Sequence, residues 1–302
     1  MADPRFDGSG VALVTPFDQS GVNEGVLESL VRFHHDNGTD ALVVCGSTGE
    51  AATMTPEEQR RATEVVVQAN AGRLPVIVGC GGTDTRQVRA LAAQARQAGA
   101  DAVLLSAPPY NKPPQRGLIA HFRAVMDAAD MPAIIYNVPG RAAVNILPET
   151  IAALAEADGR VIGVKEACGD ISQIAELARL AAGRFAIWSG NDDQILPVLS
   201  LGGRGVITVL GNVAPRQTSR MVHAFLEGSI EEATGLQLAC LPLVHTLFAD
   251  ANPIPVKTAV AWLGFDVGDL RPPLCAIEPA LRDRLIAELE SLGITPGMKA
   301  AR

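Results

Sequence analysis

The chain has 302 residues, 48% of them hydrophobic and 19% charged, with 29 glycines and 20 prolines. That is enough apolar mass for a large core and too little charge for a disordered chain. A net charge of −8, with no Lys/Arg cluster longer than a pair, makes a nucleic-acid duplex or an anionic membrane surface an unsuitable partner.

In chain order, short β-branched apolar runs alternate with segments of helical period. The runs are 11–17, 41–46, 76–80, 102–108, 133–138, 161–167, 185–190 and 205–211. Each has the length of a parallel strand buried on both faces. Between them, Thr55-Pro56-Glu57-Glu58 reads as a capping box with proline at the first helical position. Residues 84–100 read as a helix ending at Gly99, and Asp170 reads as an N-cap with Gln173 in the reciprocal place. Such a succession of strand–helix units predicts an α/β fold, a (β/α)8 TIM barrel over residues 1–228, with a C-terminal α-helical extension over 229–302. A doubly wound open sheet would call for a phosphate loop after its first strand. Gly79–Asp84 only begins like one, and it lies in the third unit.

The five cysteines, 45, 80, 168, 240 and 275, are odd in number and never fall in C-x-x-C spacing. They predict neither a disulfide framework nor a zinc site, and they suit a reducing, cytoplasmic compartment. The histidines show no ligand spacing, so no metal and no cofactor is expected. The first ten residues lack the basic-then-apolar pattern of a secretory signal, and no apolar run is long enough for a membrane span. Cys45-Gly46-Ser47-Thr48-Gly49 lacks the leading glycine of a nucleophile elbow.

Chemistry in such a barrel gathers at the carboxyl ends of the strands. Those ends read Ser47-Thr48-Gly49-Glu50, Tyr110-Asn111-Lys112, Tyr136 to Arg141, and Lys165-Glu166, and they include both tyrosines of the chain. Lys165 interrupts an apolar run. Buried, it would lose basicity and could attack a ketone as the neutral amine; alternatively it pairs with a carboxylate such as Glu166. Lys257 also has apolar neighbours but lies in the helical tail. Tyr136 could shuttle a proton or be a rim aromatic. Ser47 and Thr48 could bind a carboxylate, relay a proton or cap a helix. Arg141 could clamp a carboxylate or sit in solvent. Together they fit a Schiff-base lyase or aldolase.

These motifs, with Gly163-Val164-Lys165-Glu166-Ala167, Ser189-Gly190-Asn191-Asp192, Gly205-Val206-Ile207 and Asn252-Pro253-Ile254-Pro255-Val256-Lys257, resemble the dihydrodipicolinate synthase/N-acetylneuraminate lyase superfamily over about residues 8–285. The resemblance implies a Schiff base between Lys165 and pyruvate. It implies proton relay by Tyr136, Ser47 and Tyr110, the last reaching in from a neighbouring subunit of a tight dimer that pairs into a homotetramer. Thr48 would bind the pyruvate carboxylate and Arg141 the carboxylate of L-aspartate 4-semialdehyde, while Gly190 and Ile207 line the site through main-chain groups. The implied reaction yields 4-hydroxy-tetrahydrodipicolinate, for lysine and diaminopimelate biosynthesis. Alternatives are an N-acetylneuraminate or 2-keto-3-deoxy sugar acid lyase, a pyrroline carboxylate deaminase, or a non-catalytic keto-acid-binding protein. Ser47 stands where synthases usually carry threonine, and Cys168 replaces a common threonine. The positions that bind feedback lysine fall on Ala51, Pro56, Gln59, Thr83, Gln87 and Pro109, several of the wrong chemical type. Weak or absent lysine inhibition is therefore expected.

Overall fold

A computed structural model describes residues 6–297. Ten strands occur among them: β1 (Gly8–Ala12), β2 (Phe17–Asp18), β3 (Gly21–Val22), β4 (Ala41–Val44), β5 (Val76–Cys80), β6 (Ala102–Ser106), β7 (Ala133–Asn137), β8 (Val161–Glu166), β9 (Ala186–Ser189) and β10 (Gly205–Thr208). Eight of them close into a parallel barrel in the order β1-β10-β9-β8-β7-β6-β5-β4, and β2 and β3 form a small antiparallel hairpin. The fold is a (β/α)8 barrel with α-helices following its last strand.

The first strand differs from its sequence reading. It begins at Gly8 and stops at Ala12, starting three residues ahead of the apolar run at 11–17 and ending two residues into it. The cause is Phe6, whose ring enters the barrel and stacks on Trp188 at 5.0 Å. A Cβ at Gly10 would come within 2.9 Å of that ring, so the strand that receives Phe6 is glycine-rich and weakly β-branched.

Two apolar layers follow from the period of a strand. One side of each strand faces the helices, as with Val103, Leu105, Ile135 and Val164. The other fills the lumen, as with Val43, Ile77, Leu104, Ile134, Ile162, Trp188 and Ile207. Strand β8 breaks phase once. Ala133 opposes Val161, but the next residue, Ile134, opposes Gly163, so Ile162 is an extra residue in the ladder. From there on Val164 points to the helices and Lys165 to the lumen. Gly163 has no room for a side chain, since a Cβ would meet the Trp188 ring at 2.4 Å.

The helix starts are chemically explicit. Thr55 Oγ1 accepts from the Glu58 N–H at 3.2 Å, and Glu58 accepts from the Thr55 N–H at 2.9 Å, completing the capping box. Asp170 caps Ile171–Ala181 by accepting from the Ser172 and Gln173 amides. Gln173 does not reciprocate; its amide donates to Asn145. Helix Thr85–Gln97 ends before Gly99, which has a φ of +89°. After β10 the chain is helical, with Ile230–Leu247, Ile254–Trp262 and Pro279–Ser291. These helices share a core with Leu30, Phe33, Val213, Met221 and Val222 of the barrel. The last five residues of the sequence-defined extension, like residues 1–5, lie outside the described residues.

Candidate active site

Lys165 lies near the carboxyl end of β8, only 5% exposed. On one side it is paired across the ladder with Tyr136 of β7, and on the other with Trp188 of β9. Its Nζ sits 4.5 Å from the centre of the Tyr136 ring. Burial pushes the ammonium down to about 8; the Asp192 carboxylate opposes that shift and the Arg141 guanidinium adds to it. The half-buried Tyr136 phenol moves up to about 12, chiefly by burial. The lysine is thus easily made neutral, while the tyrosine holds its proton and can donate it.

Glu166 is not the partner of Lys165. Pleating turns it to the helical side, where its carboxylate accepts from Asn137 Nδ2 at 3.0 and 3.1 Å and from the Cys168 N–H at 2.8 Å. Asn137 Nδ2 also donates to Asn145 Oδ1, and Asn137 Oδ1 accepts from the Ile146 N–H. This buried polar clip joins β7 to β8 directly behind the Tyr136–Lys165 pair. Gly190 closes the front of the same corner. Its N–H donates to Glu166 O at 2.7 Å, and a Cβ there would lie 3.1 Å from Lys165 Cε. Ile207 is fully buried in the lumen on β10.

The loop after β4 carries Ser47, which is exposed, and Thr48, which is buried. Two left-handed residues, Cys45 and Glu50, both with φ of 56°, turn the chain sharply at its ends. The helical tail holds this loop. Asn252 Nδ2 donates to Thr48 Oγ1 at 3.0 Å. Lys257 Nζ, buried over the Phe17 ring, meets Glu50 Oε1 at 2.6 Å and donates to Asp269 O at 3.0 Å. The Arg271 N–H donates to Glu50 Oε2, and its guanidinium pairs with Glu58 at 2.6 Å. Lys257 and Glu50 are therefore a structural ion pair, a role invisible at a separation of 207 residues. Arg141 sits in the short helix Pro139–Ala142 after β7, exposed, and donates to Asn252 O at 3.1 Å.

The structure gathers Lys165, Tyr136 and Gly190 into one corner and hangs Thr48 and Arg141 on the same tail residue. It does not bring Tyr110 to them: that side chain is 88% exposed, on a residue with φ of 68°. In the sequence, Asn252 and Asp192 are visible only as members of motifs. Asp192 is buried, its Oδ2 accepting from the Val209 and Leu210 amides at 3.0 and 2.8 Å. Both owe their place to contacts with residues remote in sequence. Among the described residues, no group of His, Cys, Asp and Glu could hold a metal ion, and no helix is long and apolar enough to cross a membrane. Four of the five histidines are hydrogen-bonded elsewhere: His34 with Thr39, His35 with Asn70, His121 with Thr85 and His223 with Asp40.

The model of the dihydrodipicolinate synthetase family matches residues 5–292. A 4-hydroxy-tetrahydrodipicolinate synthase of Thermoanaerobacter sp. is 48% identical over 291 residues, which cover 96% of this chain and 98% of that protein. The crystal structure of dihydrodipicolinate synthase from Aquifex aeolicus superposes with a TM-score of 0.94 at 40% identity, covering 97% of this chain and 100% of that one. A lysine-bound structure of the enzyme from Cyanidioschyzon merolae gives 0.93 at 39% identity, over 96% and 99% of the two chains. With a closed barrel, a lumenal lysine and these relatives all in agreement, the chain belongs to the dihydrodipicolinate synthetase family.

Proposed function

We propose that this chain condenses pyruvate with L-aspartate 4-semialdehyde to give 4-hydroxy-tetrahydrodipicolinate, through a Schiff base on Lys165. The observation that carries the proposal is a buried lumenal amine, held near a pKa of about 8 and facing a protonated phenol. The neutral Nζ attacks the pyruvate ketone, water leaves, and an iminium forms. Loss of a methyl proton gives the enamine, whose carbon attacks the aldehyde. Tyr136 supplies the proton that the resulting alkoxide takes up, and later accepts one. The amino group of the second substrate then attacks the imine carbon, closing the ring and releasing Lys165.

Thr48 holds the pyruvate carboxylate through its hydroxyl and turn N–H groups, and Arg141 clamps the carboxylate of the semialdehyde. Ser47 joins the proton relay. Gly190 and Ile207 shape the site; the Gly190 N–H is already engaged with Glu166, which leaves its carbonyl for ligand. Tyr110 serves the site of a second copy in a tight dimer, two of which make a tetramer; its exposed aromatic ring on a left-handed residue supports this. We assign residues 1–228 to the catalytic barrel unit and 229–302 to the C-terminal extension, in a cytoplasmic enzyme. Feedback by lysine is weak or absent: of the positions concerned, Gln59 spends its amide on Ala51 O at 3.0 Å, and Pro109 offers no aromatic ring.

The test is a coupled assay with both substrates, run beside keto-deoxy sugar acids, together with borohydride reduction in pyruvate and peptide mass spectrometry. Condensation and a reduced pyruvyl adduct on Lys165 are expected. No adduct would end the Schiff-base mechanism; preferred cleavage of sugar acids would move the chain to a lyase branch.

A further inference from the structure

The two points assigned to substrate carboxylates stand on different strand-end loops, Thr48 after β4 and Arg141 after β7. One residue of the helical tail touches both. Asn252 donates from its side-chain amide to Thr48 Oγ1 at 3.0 Å, and its main-chain carbonyl accepts from Arg141 Nη2 at 3.1 Å. We propose that Asn252 is a positioning residue that couples Thr48 to Arg141, so that the two carboxylate-binding groups are set as a unit by the tail.

Several observations support this. Asn252 is 8% exposed, yet its Oδ1 is enclosed with no hydrogen-bond donor. A buried acceptor left unpaired is a cost that stability alone does not explain. Among the described residues the amide makes its hydrogen bond to Thr48 and to no other side chain, so its orientation is set by that contact. The segment carrying Asn252 is itself fixed, because Lys257, five residues on, is locked to Glu50 of the Thr48 loop. Asn252 is therefore a short rigid bridge between groups 93 positions apart in the chain (141 minus 48). Arg141 donates to a carbonyl, which carries no charge to hold it; displacement of residue 252 removes that acceptor and frees the exposed guanidinium to move.

This inference rests on the reading above for what Thr48 and Arg141 bind, but its structural core can be tested without turnover. Phenylglyoxal modifies arginine, and the rate at the Arg141 peptide is read by mass spectrometry in the parent chain, in Asn252→Leu and in Thr48→Val. The first variant keeps size and main-chain carbonyl but removes the N–H donor; the second removes the acceptor and leaves Asn252 intact. Both should speed modification of Arg141 by about fivefold or more, the factor expected from loss of one hydrogen bond. An unchanged rate in both folded variants overturns the coupling.

In the coupled assay, Asn252→Leu should raise KM for the semialdehyde as well as for pyruvate. A rise confined to pyruvate would leave Asn252 a support of Thr48 alone and refute the bridge. If the parent chain fails to turn over these substrates, the functional reading falls, while the phenylglyoxal rates still decide the coupling. If Asn252→Leu does not fold, Thr48→Val decides it.

Discussion

Tyr136 and Lys165 face each other across adjacent parallel strands, with the amine nitrogen 4.5 Å from the centre of the phenol ring. Neither side chain is free to leave. The strands beneath them are joined by the Glu166–Asn137 clip on the helical side, and Gly190 stands against the lysine stem. A nucleophile and its proton donor held on rigid elements need little reorganisation as charge develops.

The rate of pyruvate capture should follow the ionisation of Lys165. The ammonium cannot attack a ketone, so kcat/KM for pyruvate is lost as pH falls below about 8, where the buried lysine titrates. The expected profile rises about tenfold per pH unit below that value and levels off above it. A profile flat from about pH 6 to about pH 9 would show that another step or another group governs capture.

Replacing that lysine should make the fold stronger while abolishing turnover. Burial depresses the folded-state pKa to about 8 from the ordinary 10.5. The unfolded chain therefore holds the proton more tightly, and the lysine weakens the fold at all pH values below about 8; the deficit fades as pH rises toward 10.5. Lys165→Met should gain about 3 kcal/mol at neutral pH and much less in alkali, as an order of magnitude. Urea unfolding at both pH values measures it, and a variant weaker than the parent in neutral buffer would contradict the sign.

Gly190→Ala tests how closely the lysine stem is confined. The new methyl would lie 2.7 Å from the Ala167 Cβ and 3.1 Å from Lys165 Cε. The clash with the Ala167 methyl cannot be relieved by a rotamer change, so the backbone of this corner must give, and the lysine stem shifts with it. Turnover should fall about 100-fold, with a stability loss of about 1–3 kcal/mol from overpacking. Steady-state kinetics beside thermal unfolding separates the two; retained turnover would mean that the corner is looser than its geometry.

The Lys257–Glu50 pair is buried on both sides, so removing one member strands the other charge. Lys257→Met should cost about 3–5 kcal/mol, and adding Glu50→Gln should restore part of it. Denaturant titration of both proteins checks the order. Equal stability of single and double variants would show that Glu50 is satisfied by the Arg271 N–H alone.

Much of this barrel was legible because strands buried on both faces read as unbroken apolar runs. The exception, β1, was misplaced because its lumenal space is taken by the Phe6 ring, so the strand itself carries glycines. Lys165 and Tyr136 stood out as polar groups inside apolar runs. The tail contacts could not be seen: nothing local to Asn252 or Lys257 announces Thr48 or Glu50, more than two hundred positions earlier. Gln173 shows the same limit, since its amide chose Asn145 over the helix end it was spaced to cap.

The extra residue in β8 carries a consequence for how this enzyme can change. Ile162 shifts the count so that an amine, not a carboxylate, enters the lumen at the level of Tyr136. Moving that offset from Ile162 to beyond Glu166 would leave the alternation from Val161 unbroken, and the same sequence would then turn Glu166 into the reaction space and Lys165 to the helices. An acid would stand where the reaction needs a base, with every side chain still present.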